Sequence, residues 1–286
     1  MRGLLRTLGD VALRLGGFDH LSWNRRVATL PDPDVDARAV GLADWDGTLY
    51  VHERWVMEPL LRLRAGWGRR QPASSLRAAK EAIATLLHET YHMASPPDHD
   101  QVEGRGVYDQ PSTVFLEEGV TELYTHLRLD DVIRAAGVER GAPGLREVRI
   151  EPSYPDYVPG TRRLLHWVAD RSRMRYVDVL ESLAGQTAAG KYPQLCRLML
   201  LQTGLTAAIP PALWWTCRRE LEHAIRSELD LVAALPGDAS ADAARLASCE
   251  VGTRATASAG EVLTALHRGF VRPEPRRPAP TMEVGR

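Results

Sequence analysis

The pentapeptide His88-Glu89-Thr90-Tyr91-His92 carries the residue types of a hydrolytic metal centre. On a helix, residues four apart stack on one face, so two imidazoles at this spacing reach a single ion. Imidazole nitrogen suits zinc, and a catalytic zinc takes three protein ligands and keeps a fourth position for water, whose pKa falls towards ~7. Glu89, directly after the first histidine, stands where it can take that water's proton. His88 and His92 are therefore candidate ligands of a Zn2+ cofactor, and Glu89 is the candidate general base. The same pattern also arises on ordinary charged helix surfaces, so the weight falls on a third ligand.

Phe115-Leu116-Glu117-Glu118-Gly119-Val120-Thr121-Glu122 supplies carboxylates on the next helical stretch. HExxH on one helix and a glutamate on the next is the arrangement of the gluzincin peptidases, which include thermolysin-like and aminopeptidase-like enzymes. LEEGVTE is similar to their LNEG and EGxTE motifs. The resemblance implies that Glu118 is the third zinc ligand and that Glu122 orients a ligand histidine, fixing its tautomer and raising its basicity. Glu118 and Glu122 are also i,i+4 on a helix whose apolar positions pack it against the first. Glu117 points about 100° away and is read as solvated, with an exchange of roles with Glu118 left open. Residues 93–117 make a longer spacer than the thermolysin-like branch has, which implies a distinct branch. The resemblance covers residues 39–170 and implies a zincin-like core that hydrolyses peptide bonds.

Such peptidases also place a hydrogen-bond donor opposite the metal to stabilise the developing oxyanion. Tyr154 and Tyr157, in SYPDYVPG, are the candidates, with His166 behind them and packing at a helix start as the alternative for each tyrosine. A different third ligand is conceivable, because residues 88–98 spell HExxHxxSxxD, similar to the metzincin pattern. Ser95 replaces the glycine that lets that chain turn sharply, and Pro96-Pro97 restricts the turn further, which weighs against Asp98. His99 and His52 rank behind it.

The elements that must hold these groups follow from periodicity and breakers. Residues 74–94 form the HExxH helix, with Leu76, Ala79, Ile83 and Leu86 or Leu87 at helical spacing and Pro96-Pro97 beyond its end. Pro111-Ser112 starts a second helix running to about residue 129, after a polar stretch at 96–110. Asp46-Gly47 between two strand-like runs in 39–56 predicts a hairpin and a small antiparallel sheet. Beyond Asp130 nearly everything reads helical: 131–136, 160–173, 177–184, 193–203, 211–235, 238–249 and 258–269. The expected fold is α+β and predominantly α-helical. It comprises an N-terminal amphipathic helix and linker (1–36), a zincin-like catalytic core (37–150), a helical subdomain completing the cleft (151–270) and a disordered tail (271–286).

Composition limits the alternatives. The chain of 286 residues balances 36 Lys and Arg against 37 Asp and Glu, so no global field draws it to nucleic acid or an anionic bilayer. Arg162, Arg163, Arg171, Arg173 and Arg175 cluster around one helix and are read as a solvated face, in a chain whose basic residues are nearly all arginine. No apolar run is long enough to span a membrane, and charges interrupt the N-terminal run, so a cytoplasmic protein is expected. Cys196, Cys217 and Cys249 are read as buried thiols, and Trp214-Trp215 as core or interface. The expected partner is a peptide or protein substrate. The competing class is a helical interaction protein that keeps the zincin scaffold without turnover.

Overall fold

Leu5, Leu8, Val11 and Ala12 recur at helical spacing along Arg2–Gly16, and this buried stripe docks the first helix, α1, onto the rest of the chain. The structure, a computed structural model, describes residues 2–18, 20–30, 40–94, 101–234 and 240–271. Asp98, His99, the linker residues 31–36 and the tail from 272 lie outside the described residues.

Three short strands follow: β1 (Val27–Thr29), β2 (Gly41–Ala43) and β3 (Leu49–Val51), in the order β1-β3-β2. The expected hairpin joins β2 to β3. Gly47 turns the chain at φ +79°, and the Asp46 carboxylate accepts from the Thr48 N–H at 2.7 Å. The sheet is mixed rather than antiparallel, because β1 pairs with β3 in parallel, Val27 opposite Leu49. A hairpin announces itself in its turn residues, whereas a parallel neighbour has no local signal. A π-turn at Glu53–Met57 leads into α2 (Glu58–Ala65).

The HExxH helix, α3 (Ala73–Ala94), is the central element. Leu76, Ala79, Ile83 and Leu87 form its apolar stripe, and towards its end every residue from Leu86 to Tyr91 is buried. A short helix, α4 (Gln101–Tyr108), occupies part of the stretch read as polar, where no apolar periodicity marks it. Beyond it α5 (Pro111–Ala135) lies against α3, with Pro111 in the first turn, where its missing N–H costs nothing. Asp230 accepts from the Ser112 N–H at 2.8 Å and satisfies one of the open donors of that turn.

The rest is helical: α6 (Val138–Gly141), α7 (Val158–Ser172), α8 (Tyr176–Ala184), α9 (Ala188–Gln202), α10 (Leu205–Ala208), α11 (Pro211–Leu229) and α12 (Ala241–Phe270). One apolar core runs from Leu5 on α1 to Leu266 on α12. Helix α12 is continuous where the sequence reading has two helices. Its middle presents Ser248, Val251, Gly252 and Ala255 to α7, and these small residues pack the helices closely without making a strong apolar signal. Cys196 and Cys217 are buried as expected, whereas Cys249 is exposed on α12. Trp214 packs partly against the core, and Trp215 is exposed with the Arg219 guanidinium 4.7 Å from its ring centre. Among the described residues no helix is long and apolar enough to cross a membrane.

The crossing of α7 and α12 is close enough to test. A Cβ on Gly252 would lie 2.6 Å from the Gly160 Cα and 2.5 Å from its carbonyl oxygen, whereas one on Gly260 would meet only Trp167 at 3.7 Å. Backbone cannot yield as a side chain can, so Gly252→Ala is expected to lower the unfolding free energy by about 1–3 kcal/mol. Gly260→Ala is expected to raise it by about 0.5–1 kcal/mol, through helix propensity. Urea denaturation of the two variants checks the contrast; equal stabilities would contradict the packing.

Candidate metal centre

Helix α3 carries His88, Glu89 and His92, and α5 carries Glu117, Glu118 and Glu122. Gly119 explains how α5 fits here. A Cβ on it would lie 2.1 Å from the Thr161 hydroxyl of α7, so only glycine lets α7 press on one side of α5 while Glu118 turns to α3.

Five of these side chains, His88, His92, Glu117, Glu118 and Glu122, form one hydrogen-bonded network, and Glu89 lies beside it. His88 Nε2 lies 2.9 Å from His92 Nε2 and 3.0 Å from Glu118 Oε2, and His92 Nε2 lies 3.6 Å from Glu118 Oε1. Two ligands of a tetrahedral zinc with bonds of ~2.0–2.1 Å stand about 3.3 Å apart, a value the three separations bracket. Among the described residues, His88, His92 and Glu118 form the group whose ligand atoms converge, all within 4.8 Å of one another.

The outer ring nitrogens strengthen the assignment. His88 Nδ1 is 2.9 Å from Glu122 Oε2, and His92 Nδ1 is 2.9 Å from Glu117 Oε1. A carboxylate only accepts, so each Nδ1 carries a proton; His88 Nε2, 3.0 Å from Glu118, then either carries a second proton or, in a neutral ring, presents a lone pair to a cation, as His92 Nε2 does. Two lone pairs and a carboxylate oxygen facing one another repel unless a cation or a proton lies among them. The donor set of two imidazoles and one carboxylate fits zinc.

The electrostatics favour positive charge at the same point. Burial opposes protonation of His88, but its hydrogen bonds with Glu118 and Glu122 outweigh this and lift its pKa well above the usual range. Burial likewise opposes protonation of His92, yet the charge of Glu118 and the bond to Glu117 raise its pKa to about 9. Burial works against ionised Glu118 too, but the two imidazoles hold its pKa well below the ordinary carboxylate value. Glu117 and Glu122 are both brought down to about 2 against the cost of burial, Glu117 mainly by Lys191 and His92, and Glu122 mainly by His126 and His88.

Glu89 differs from its neighbours. Burial raises its pKa, with the charges of His88 and His92 opposing, and its Oε2 accepts from the Ala43 N–H of β2 at 2.7 Å. The edge strand thus fixes the carboxylate beside the imidazoles.

His88, His92, Glu118, Glu89 and Glu122 all meet where the sequence reading expects them. Tyr154 joins them. Its ring stacks on His88 at 4.8 Å and 10°, its hydroxyl hydrogen-bonds Glu118, and its backbone is held at φ +58°, a conformation unusual for a residue with a Cβ. Tyr157 stands further out, its ring 6.1 Å from Tyr154 and 5.8 Å from Phe115. His166 stacks on Tyr176 at 4.3 Å, and His52 Nδ1 accepts from the Arg54 N–H, so neither joins the group. The expectation of a solvated Glu117 is overturned: it is 3% exposed, because α9 covers that face of α5 and Lys191 meets it there.

Three further residues escape the sequence reading. Tyr108, on α4, donates its hydroxyl to Glu118 Oε1 and packs edge-on against Trp45 of the hairpin. Burial, and then the charge of Glu118, raise its pKa, so it remains a donor. His126 approaches Glu122 at 3.3 Å, one turn along α5, a spacing visible in the sequence. Lys191 reaches the site from α9, where no local pattern marks it.

No protein-family model, curated protein or solved structure matches this chain.

Elemental analysis of protein purified without chelators tests the ligand set. One zinc per chain is expected in the wild type and in His52→Ala, His166→Ala and Asp98→Ala, and zinc should be lost from His92→Ala and Glu118→Ala. Zinc kept by Glu118→Ala but lost from Asp98→Ala would move the third ligand to Asp98.

Proposed function

We propose that this protein is a zinc-dependent peptidase of gluzincin type. The observation that carries the reading is the facing pair of imidazole Nε2 atoms, 2.9 Å apart beside Glu118, each ring with its Nδ1 turned to a separate carboxylate. Two imidazole nitrogens this close need a shared cation or proton between them, and a single dication satisfies both nitrogens and Glu118 at once.

His88, His92 and Glu118 would hold the zinc. When bound, zinc supplies a Lewis acid that polarises the scissile carbonyl and makes water acidic near neutral pH. Glu89 is the base: burial holds its pKa above the ordinary carboxylate value, which makes it a better proton acceptor, and the Ala43 N–H orients its carboxylate. It takes a proton from the attacking water and returns it to the leaving amine. The hydroxyls of Tyr154 and Tyr108, kept protonated by burial and bonded here to Glu118, would serve as donors by turning to the oxygen that gains charge as the carbonyl is attacked.

The peptide class rests on the likeness of HExxH and LEEGVTE to gluzincin motifs, with the outward Ala43 N–H of the edge strand β2 already held by Glu89. A binding protein without turnover needs no base beside the metal, and the place of Glu89 next to both imidazoles supports catalysis alongside its bond to Ala43.

Glu89→Gln is expected to keep its zinc while hydrolysis of a fluorogenic peptide library falls by ~10²–10⁴-fold, the range general-base catalysis contributes. Hydrolysis should also stop on chelation and return with zinc. A Glu89→Gln protein as active as the wild type, or activity that survives full removal of metal, would sink the mechanism.

A further inference from the structure

The chain contains two lysines, Lys80 and Lys191, and writes every other basic position as arginine. Both lysines are buried, at 4% and 1% exposure. Lys80 donates to the carbonyls of Arg146 and Val148 and pairs with Asp130, which ties the segment after α6 to α3. Lys191 sits in the first turn of α9, behind the Thr187 cap. It donates to the Gln186 carbonyl at 2.9 Å and meets Glu117 Oε2 at 2.6 Å. The other oxygen of Glu117 accepts from His92 Nδ1.

We propose, on the reading of the site as a zinc centre, that Lys191 is a positioning residue: by holding Glu117 Oε2 it keeps Oε1 on His92 and aims His92 Nε2 at the ion. The argument is geometric. Lys191 meets Oε2 as an ion pair at 2.6 Å while Oε1 faces His92 and, at 3.4 Å, the Thr121 hydroxyl, and an ammonium is compact enough to fit between one carboxylate oxygen and one carbonyl. Arginine's planar fork needs more room, which accounts for lysine here in a chain that, Lys80 apart, uses arginine elsewhere.

The two histidines are supported differently. Glu122, behind His88, is held on Oε1 by the Ser153 N–H at 2.6 Å and by His126. Glu117, behind His92, is held by a full positive charge from another helix. His92 is also the more exposed imidazole, with 14% of its side chain accessible against 2% for His88, so it has more room to turn when its support is removed. Through Lys191 the α8–α9 turn becomes part of the metal site.

Zinc dissociation constants from chelator competition and visible spectra of the cobalt-substituted proteins test this in the wild type, K191M, E117Q and the double variant. K191M is expected to weaken zinc at least tenfold and to change the cobalt bands, as loss of a group supporting a ligand histidine does. In the E117Q background, adding K191M should change the zinc affinity by less than twofold, because the route through residue 117 is already cut. A K191M protein that melts earlier but binds zinc as the wild type does would overturn the proposal and make Lys191 a purely structural cation. A tenfold loss from K191M in both backgrounds would equally overturn the route through Glu117. Should K191M fail to fold alone, the E117Q pair decides by the same criterion. Wild-type protein without zinc would remove the metal reading itself, whereas zinc-binding wild type with an indifferent K191M removes only the role of Lys191.

Discussion

Charge buried between α3 and α5 is the constraint on which the site depends. Glu89, Glu117, Glu118 and Glu122 all lie below a tenth exposed, and Lys191 is the one permanently charged cation touching them among the described residues. With both imidazoles neutral, three negative charges stand uncompensated in a region where isolated ions cost several kcal/mol each. Protonation of the histidines relieves this, and so does a dication at the point their Nε2 atoms share. The raised pKa values of His88 and His92 express the same preference for positive charge. A cluster of this kind is costly unless protons or a bound cation supply the missing charge, and perturbed groups gathered in this way are candidates for a functional site.

Much of the surrounding fold serves that arrangement. Gly119 lets α7 approach α5 so that the glutamate face turns to α3, and the contact of Gly160 with Gly252 brings α12 in behind α7. Ser153, just before the strained Tyr154, donates to Glu122, so the segment leading into α7 fixes one histidine's support while its tyrosine covers the ring. The hairpin contributes Ala43 to Glu89 and Trp45 to Tyr108. These contacts come from distant parts of the chain, yet all converge on one small polar volume.

What was legible in the sequence follows the range of each interaction. His88, Glu89 and His92 declare themselves because their relation is one helical turn, and Glu118 and Glu122 because theirs is another. The helix starts at Pro111 and the turn at Asp46-Gly47 are likewise local chemistry. Glu117 was misread because periodicity gives its direction on α5 but not which helix covers that side. Tyr108 and Lys191 were missed because each reaches Glu118 or Glu117 from a separate helix across the tertiary fold. The parallel pairing of β1 and the unbroken α12 were hidden for related reasons, one a long-range pairing and the other a contact made by small residues.

Zinc-edge X-ray absorption on the wild-type protein, combined with anomalous diffraction from its crystals, addresses the centre most directly. One zinc bound by the Nε2 atoms of His88 and His92 and a carboxylate oxygen of Glu118, with bonds of ~2.0–2.2 Å, is the expected result. A protein that takes up no zinc, or an anomalous peak beyond bonding reach of both imidazoles, would contradict it and leave the cluster a protonated hydrogen-bond network.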